Sequence, residues 1–123
     1  MQAWLCDNPI GVQALRWTEL ATPEPAAGQV RIAVHAASLN FPDLLTVQNK
    51  YQVKPPLPFV PGSEFSGTVE VVGDGVRHLK PGDRVATIGV SGGFATHACV
   101  DAAAVMALPA AFDLDDAAAF AFT

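Results

Sequence analysis

Glycine and proline break this chain into short pieces. Ten of each are spread along 123 residues, with no single linker gathering them. Proline fixes φ and lacks a backbone donor, and glycine weakens the interior of any regular element. The short apolar runs between these breakers therefore read as strands joined by turns, and the fold class as mainly β with short helices. Half of the residues are apolar and 15% are charged. That supplies one core and is too apolar a balance for a disordered chain.

The strands follow from the pattern. Gln2–Cys6 and Ala14–Leu20 flank an Asn8-Pro9…Gly11 turn. Gln29–Leu39 alternates, with Val30, Ile32 and Val34 on one face and Arg31 and His35 on the other, the period of a half-buried strand. Phe65–Val72, Arg84–Ile88, Phe94–Asp101 and Val105–Leu108 complete the set. Asp43–Gln48 reads as a short helix, and the proline-rich stretch from Lys54 to Gly62 as a rigid loop within the domain. Pro81-Gly82 is a turn signal, because Pro presets φ and Gly accepts a positive one. Near the end, Asp113 opens a helix as its cap and the next acids favour the helix's positive end. That helix is truncated: Ala117 to Thr123 carries Phe120 and Phe122 but no stop signal. The expectation is a single domain over 1–123 that is part of a longer protein. Its apolar end would drive the piece into a homodimer or a swapped assembly.

Several functions are excluded. A pI near 4.9 with seven basic residues leaves no basic face for nucleic acid. No apolar run approaches a membrane span, and Met1-Gln2-Ala3-Trp4 lacks a signal-peptide layout. Cys6 and Cys99 are isolated thiols, which fits a reducing, cytoplasmic setting. Gly89-Val90-Ser91-Gly92-Gly93 matches the nucleophile elbow in letters only, since a β-type run follows it and no His lies beyond His97. Gly73-Asp74-Gly75 begins a dinucleotide fingerprint, but His78 stands where its last Gly belongs and no helix pattern follows. His35, His78 and His97 share no metal-ligand spacing.

The strongest signal runs from Pro61-Gly62-Ser63-Glu64-Phe65-Ser66-Gly67 through Gly73 to Lys80-Pro81-Gly82-Asp83-Arg84-Val85. Gly67 and Gly73 bracket a strand, where a side chain would obstruct a close backbone approach or a tight bend. Glu64, Asp83 and Arg84 could pair near the centre of the domain. This run closely resembles the signature of medium-chain dehydrogenases/reductases. Pro23-x-Pro25…Gly28-Gln29-Val30 resembles that family's entry, and Ala117 to Phe120 the start of its domain-bridging helix. The resemblance covers the whole chain but only the family's N-terminal half. It implies a GroES-like, partly open β-barrel, with a Rossmann cofactor domain absent from this chain.

Zinc-dependent members carry Cys where this chain has Asn40 and His where it has Ser63, so the resemblance implies a member without zinc. Asn40-Phe41-Pro42-Asp43-x₇-Tyr51 resembles the segment of the zinc-free quinone oxidoreductases, which lies on the substrate side of their cleft. Asn49 stands where Gly is common and is the next best residue for a left-handed turn. The implied reaction is hydride transfer from NADPH to a quinone or an α,β-unsaturated carbonyl, a small-molecule substrate. Tyr51 would supply a neutral donor or a proton, since a phenol with a pKa near ~10 stays protonated at neutral pH. Asn40 would place its amide beside the nicotinamide, and Asp43 would orient its neighbours. An enoyl-thioester reductase and a non-catalytic GroES-like binding module are the alternatives.

Overall fold

The β-rich reading sets short antiparallel strands around one core. The structure, a computed structural model, describes residues 1–38, 43, 57–88, 92–109 and 113–115. Among them lie β1 (Gln2–Leu5), β2 (Arg16–Glu19), β3 (Gln29–Ser38), β4 (Glu64–Val72), β5 (Arg84–Ile88), β6 (His97–Asp101) and β7 (Val105–Ala107). Single 3₁₀ turns occupy Val12–Ala14 and Ala102–Ala104. β1 and β2 form one pair, and the others form a sheet in the order β6-β3-β4-β5-β7. Neighbouring strands are antiparallel throughout. Among the described residues the sheet is open and not a closed barrel. Bridges Ala3–Ala95 and Cys6–Phe59 tie the β1–β2 pair to the segments ahead of β6 and β4. This is the partial GroES-like arrangement that the resemblance implied.

Each expected strand is present, shorter by one to three residues at some ends. Phe94, Ala95 and Thr96 stay outside β6, for example, although the backbone N–H of Val34 still reaches the Thr96 carbonyl at 2.9 Å. Asp43 has helical backbone, and the rest of the expected 43–48 helix lies outside the described residues. So do the chain end from residue 116 and its two phenylalanines.

Alternation builds the core. Val30 and Ile32 of β3, Phe65 and Val69 of β4, Val85 of β5 and Val100 of β6 pack together, nearly sealed from solvent. Two register shifts interrupt the β3–β4 ladder. Arg31 faces Val71 but Ile32 faces Val69, which leaves Glu70 without a counterpart. Val34 faces Gly67 but Ala36 faces Ser66, which leaves His35 extra on the other strand. Extra residues of this kind re-aim side chains. Glu70 accepts from Arg31 at 3.1 Å and meets His97 at 3.4 Å, while His35 meets Asp115 at 3.0 Å.

Gly67 lies between these shifts. A Cβ there would sit 2.1 Å from the Ala33 carbonyl oxygen and 2.8 Å from Ile32 Cγ2. The turn at Pro81-Gly82 forms as expected, with Gly82 at φ +96. It is held by Asp83, whose carboxylate accepts from the Lys80 backbone N–H at 3.0 Å and from Lys80 Nζ at 2.7 Å.

Gly67→Ala forces the two strands apart and should cost about 2–3 kcal/mol. Gly82→Ala meets no neighbour within 4 Å and should cost about 1 kcal/mol for its left-handed backbone. Urea midpoints check the order, and equal midpoints would contradict the close contact. The Lys80 hydrogen bonds lower the pKa of Asp83 below its ordinary value. The contribution is present above the unfolded pKa and is lost as pH falls through the depressed folded value. Carboxyl NMR should show Asp83 titrating below its ordinary range, and Lys80→Met, which removes the Nζ donor but keeps the backbone N–H, should bring it part of the way back.

Candidate functional site

Ser38 ends β3 and Glu64 begins β4, and the antiparallel register sets them opposite each other. Ser38 Oγ donates to Glu64 Oε1 at 2.6 Å. Glu64 is only 1% exposed, and a carboxyl that deep requires hydrogen-bond donors. The residue before it, Ser63, is half-buried. Its Oγ is fully covered and has no hydrogen-bond partner among the described residues.

The loop carrying Ser63 is fixed by backbone contacts. Gly93 N–H donates to the Gly62 carbonyl and Phe94 N–H to the Pro61 carbonyl, both at 3.0 Å. Gly62 has φ +109, and a Cβ on it would sit 2.6 Å from the Phe94 nitrogen. Only glycine combines that backbone with so close a neighbour.

Asp43 is buried at 4% exposure, five residues beyond Ser38 in the chain. Asn40 and Tyr51, the other two expected site residues, lie outside the described residues. The short helical segment at Leu114 and Asp115 is anchored beside the β3–β4 pair. Ser66 Oγ donates to the Leu114 carbonyl, and Leu114 is buried. Asp113 caps this segment as expected, its carboxylate accepting from the Asp115 N–H at 2.7 Å.

The expected grouping of Glu64, Asp83 and Arg84 does not form one cluster. Asp83 turns to Lys80, while Glu64 faces Ile88 at the far end of the β4–β5 ladder from Arg84. The Ser38 partner was missed, although the antiparallel pairing of two strand ends would have suggested it. The Ser66–Leu114 and His35–Asp115 contacts span 48 and 80 residues of chain and have no local signal.

An open apolar hollow of about 590 Å³ lies beside β3, walled by Trp4, Trp17, Val34, Ala36 and Phe94. Trp4 and Trp17 face each other across β1–β2 with ring centroids 5.3 Å apart. The hollow does not include Ser38, Asp43 or Glu64. Burial raises the pKa of both thiols, Cys6 and Cys99, so neither is an activated nucleophile. Among the described residues, no three His, Cys, Asp or Glu side chains converge as metal ligands. No helix among them is long and apolar enough to cross a membrane.

Residues 26–110 match the family described as alcohol dehydrogenase GroES-like domain. The quinone oxidoreductase-like protein 2 homolog of Nematostella vectensis is 39% identical over 123 residues, covering 99% of this chain and 33% of its own length. The human synaptic vesicle membrane protein VAT-1 homolog-like protein superposes with a TM-score of 0.92 at 37% identity, covering 98% of this chain and 39% of that one. The quinone oxidoreductase of Thermus thermophilus, solved also in complex with NADPH, has a TM-score of 0.81 at 33% identity over 98% of this chain and 36% of that one. A cobalt- and zinc-bound alcohol dehydrogenase of Pyrobaculum aerophilum has a TM-score of 0.87 at 30% identity over 98% of this chain and 44% of that one. The chain thus spans about a third of the Nematostella relative's length, 33%.

Removing the hydroxyl that donates to Glu64 leaves a deeply buried carboxyl one donor short. Ser38→Ala should cost about 1–3 kcal/mol, and Ser38→Thr should retain most of it. Thermal or urea unfolding of the two variants reads the difference.

Proposed function

The chain belongs to the alcohol dehydrogenase GroES-like domain family, and we propose that it is the substrate domain of a zinc-independent, NADPH-dependent quinone or enone reductase. What carries the reading is the chemistry at two positions. By the family resemblance, Asn40 and Ser63 stand where zinc-dependent members supply ligands, and neither an amide nor a hydroxyl is a zinc ligand of any strength. Glu64, beside Ser63, is engaged by Ser38. The relatives named quinone oxidoreductase support the substrate class.

The described residues do not offer a cradle for the phosphates of a dinucleotide. At Gly73 a Cβ would meet the Ala26 carbonyl oxygen at 2.1 Å, so the chain's own backbone fills that space. When bound, NADPH supplies the hydride. In this reading Asn40 holds the nicotinamide through its side-chain amide, and Asp43 positions the segment that carries both.

The substrate accepts the hydride's two electrons at its electron-poor carbon, and negative charge moves to its carbonyl oxygen. Tyr51 is a neutral donor at pH 7. It stabilises that charge by hydrogen bonding and delivers the proton that completes the reduction. Solvent then returns a proton to the phenolate. The remaining surface of the domain positions these groups and excludes water.

The full-length protein should oxidise NADPH when given 1,4-benzoquinone or 2-cyclohexenone, as followed by NADPH absorbance. Tyr51→Phe should lower kcat about a hundredfold with little change in KM. A full-length protein that binds no nicotinamide nucleotide overturns the reading.

A further inference from the structure

Large apolar side chains grouped at a surface mark a place where something binds. Trp4 and Trp17 stand directly opposite each other in the β1–β2 register, so both side chains leave the same face. They are 44% and 48% exposed, and both wall the apolar hollow beside β3. Its volume of about 590 Å³ falls in the range of roughly 300–1,000 Å³ that small ligands occupy. Ala36, Ala37 and Gly93 also line it, and residues this small leave its space unfilled.

The lining says what kind of group fits. Among the described residues, no Lys, Arg, Asp or Glu lines the hollow. The hydroxyl and imidazole that border it are engaged. Thr96 Oγ1 accepts from the Gln2 N–H at 3.1 Å and shares a hydrogen bond with His97 Nδ1 at 3.0 Å, and His35 meets Asp115 at 3.0 Å. An occupant is therefore held by apolar contact and by the tryptophan rings, and a charged one would lose its hydration without compensation. The hollow also borders the strand-end site on two segments. Ala37 lines it and immediately precedes Ser38, while Gly93 lines it and donates its N–H to the carbonyl of Gly62, the residue before Ser63. One strand residue advances the chain by about 3.3 Å, so the hollow begins next to the site. We infer that the hollow binds an apolar ring substituent of the quinone or enone, and that Trp4 and Trp17 set a preference for substituted over unsubstituted substrates. This rests on the proposed reductase reading and narrows its substrate class.

The test uses the full-length protein with NADPH and compares 2-phenyl-1,4-benzoquinone with 1,4-benzoquinone. The phenyl compound should have a kcat/KM about tenfold higher, mainly through a lower KM. Trp17→Ala removes one wall of the hollow, and Ala37→Leu, at an exposed position, narrows it without touching the core. Each should bring the ratio of the two kcat/KM values to within about twofold of one. Being a ratio, it is unmoved by a general loss of activity. A wild-type ratio already within about twofold of one overturns this assignment alone. So does a raised ratio that either folded variant keeps. A second copy or another segment of the protein seated on the hollow would shield the tryptophans. The emission lost in Trp17→Phe would then resist quenching by acrylamide, and that result also overturns the assignment. A wild type that reduces neither quinone overturns the reductase reading and this assignment with it.

Discussion

The backbones of β3 and β4 approach so closely at Gly67 that no side chain fits between them. A Cβ would lie 2.1 Å from the Ala33 carbonyl oxygen. This contact lies in the middle of the longest ladder in the described sheet, between its two register shifts. One shift adds a residue on β4 and the other adds one on β3. Their effects cancel, so the pairing beyond Ala36 returns to the register it had before Ile32. Apolar side chains between the shifts face the core, and the two extra residues, Glu70 and His35, turn outward to charged partners.

The cancellation decides what meets at the end of the ladder. With the first shift alone, Ser38 would stand opposite Ser63, and Glu64 would face Ala37. With both, Ser38 faces Glu64 and satisfies its buried carboxyl. The site chemistry therefore depends on the irregularity at His35, which lies earlier on the same strand as Ser38. A strand's pleat has a period of two, so a one-residue slip exchanges its faces.

This explains which parts were legible in the residues. Alternation in Gln29–Leu39, the breakers around Pro81-Gly82 and the Asp113 cap are local signals, and each led to the element found there. Gly67 was legible as a close approach because a glycine inside a strand otherwise weakens it. The register shifts have no local signature: nothing in Val34-His35-Ala36 marks His35 as an extra residue. Side-chain pairing at the site follows from register, so Glu64 was grouped with the nearby charges Asp83 and Arg84 when its serine partner waited on β3. Of Asn40, Asp43 and Tyr51, the structure describes Asp43 alone, as a buried carboxyl in helical backbone.

The same fold serves a cobalt- and zinc-bound dehydrogenase and a quinone oxidoreductase solved with NADPH, so fold cannot choose between metal-assisted and metal-free chemistry. The side chains at the strand ends must choose. A metal ion would demand soft or charged ligands at the start of β4, and would polarise a carbonyl by its own charge. Here that start presents a serine hydroxyl, followed by a carboxyl already engaged by Ser38. A hydroxyl polarises a carbonyl by hydrogen bonding. Each neutral bond is weaker than a metal contact, so metal-free reduction favours substrates whose conjugation already makes a carbon electron-poor. The quinones and enones proposed as substrates have that property, whereas a simple ketone would need stronger polarisation.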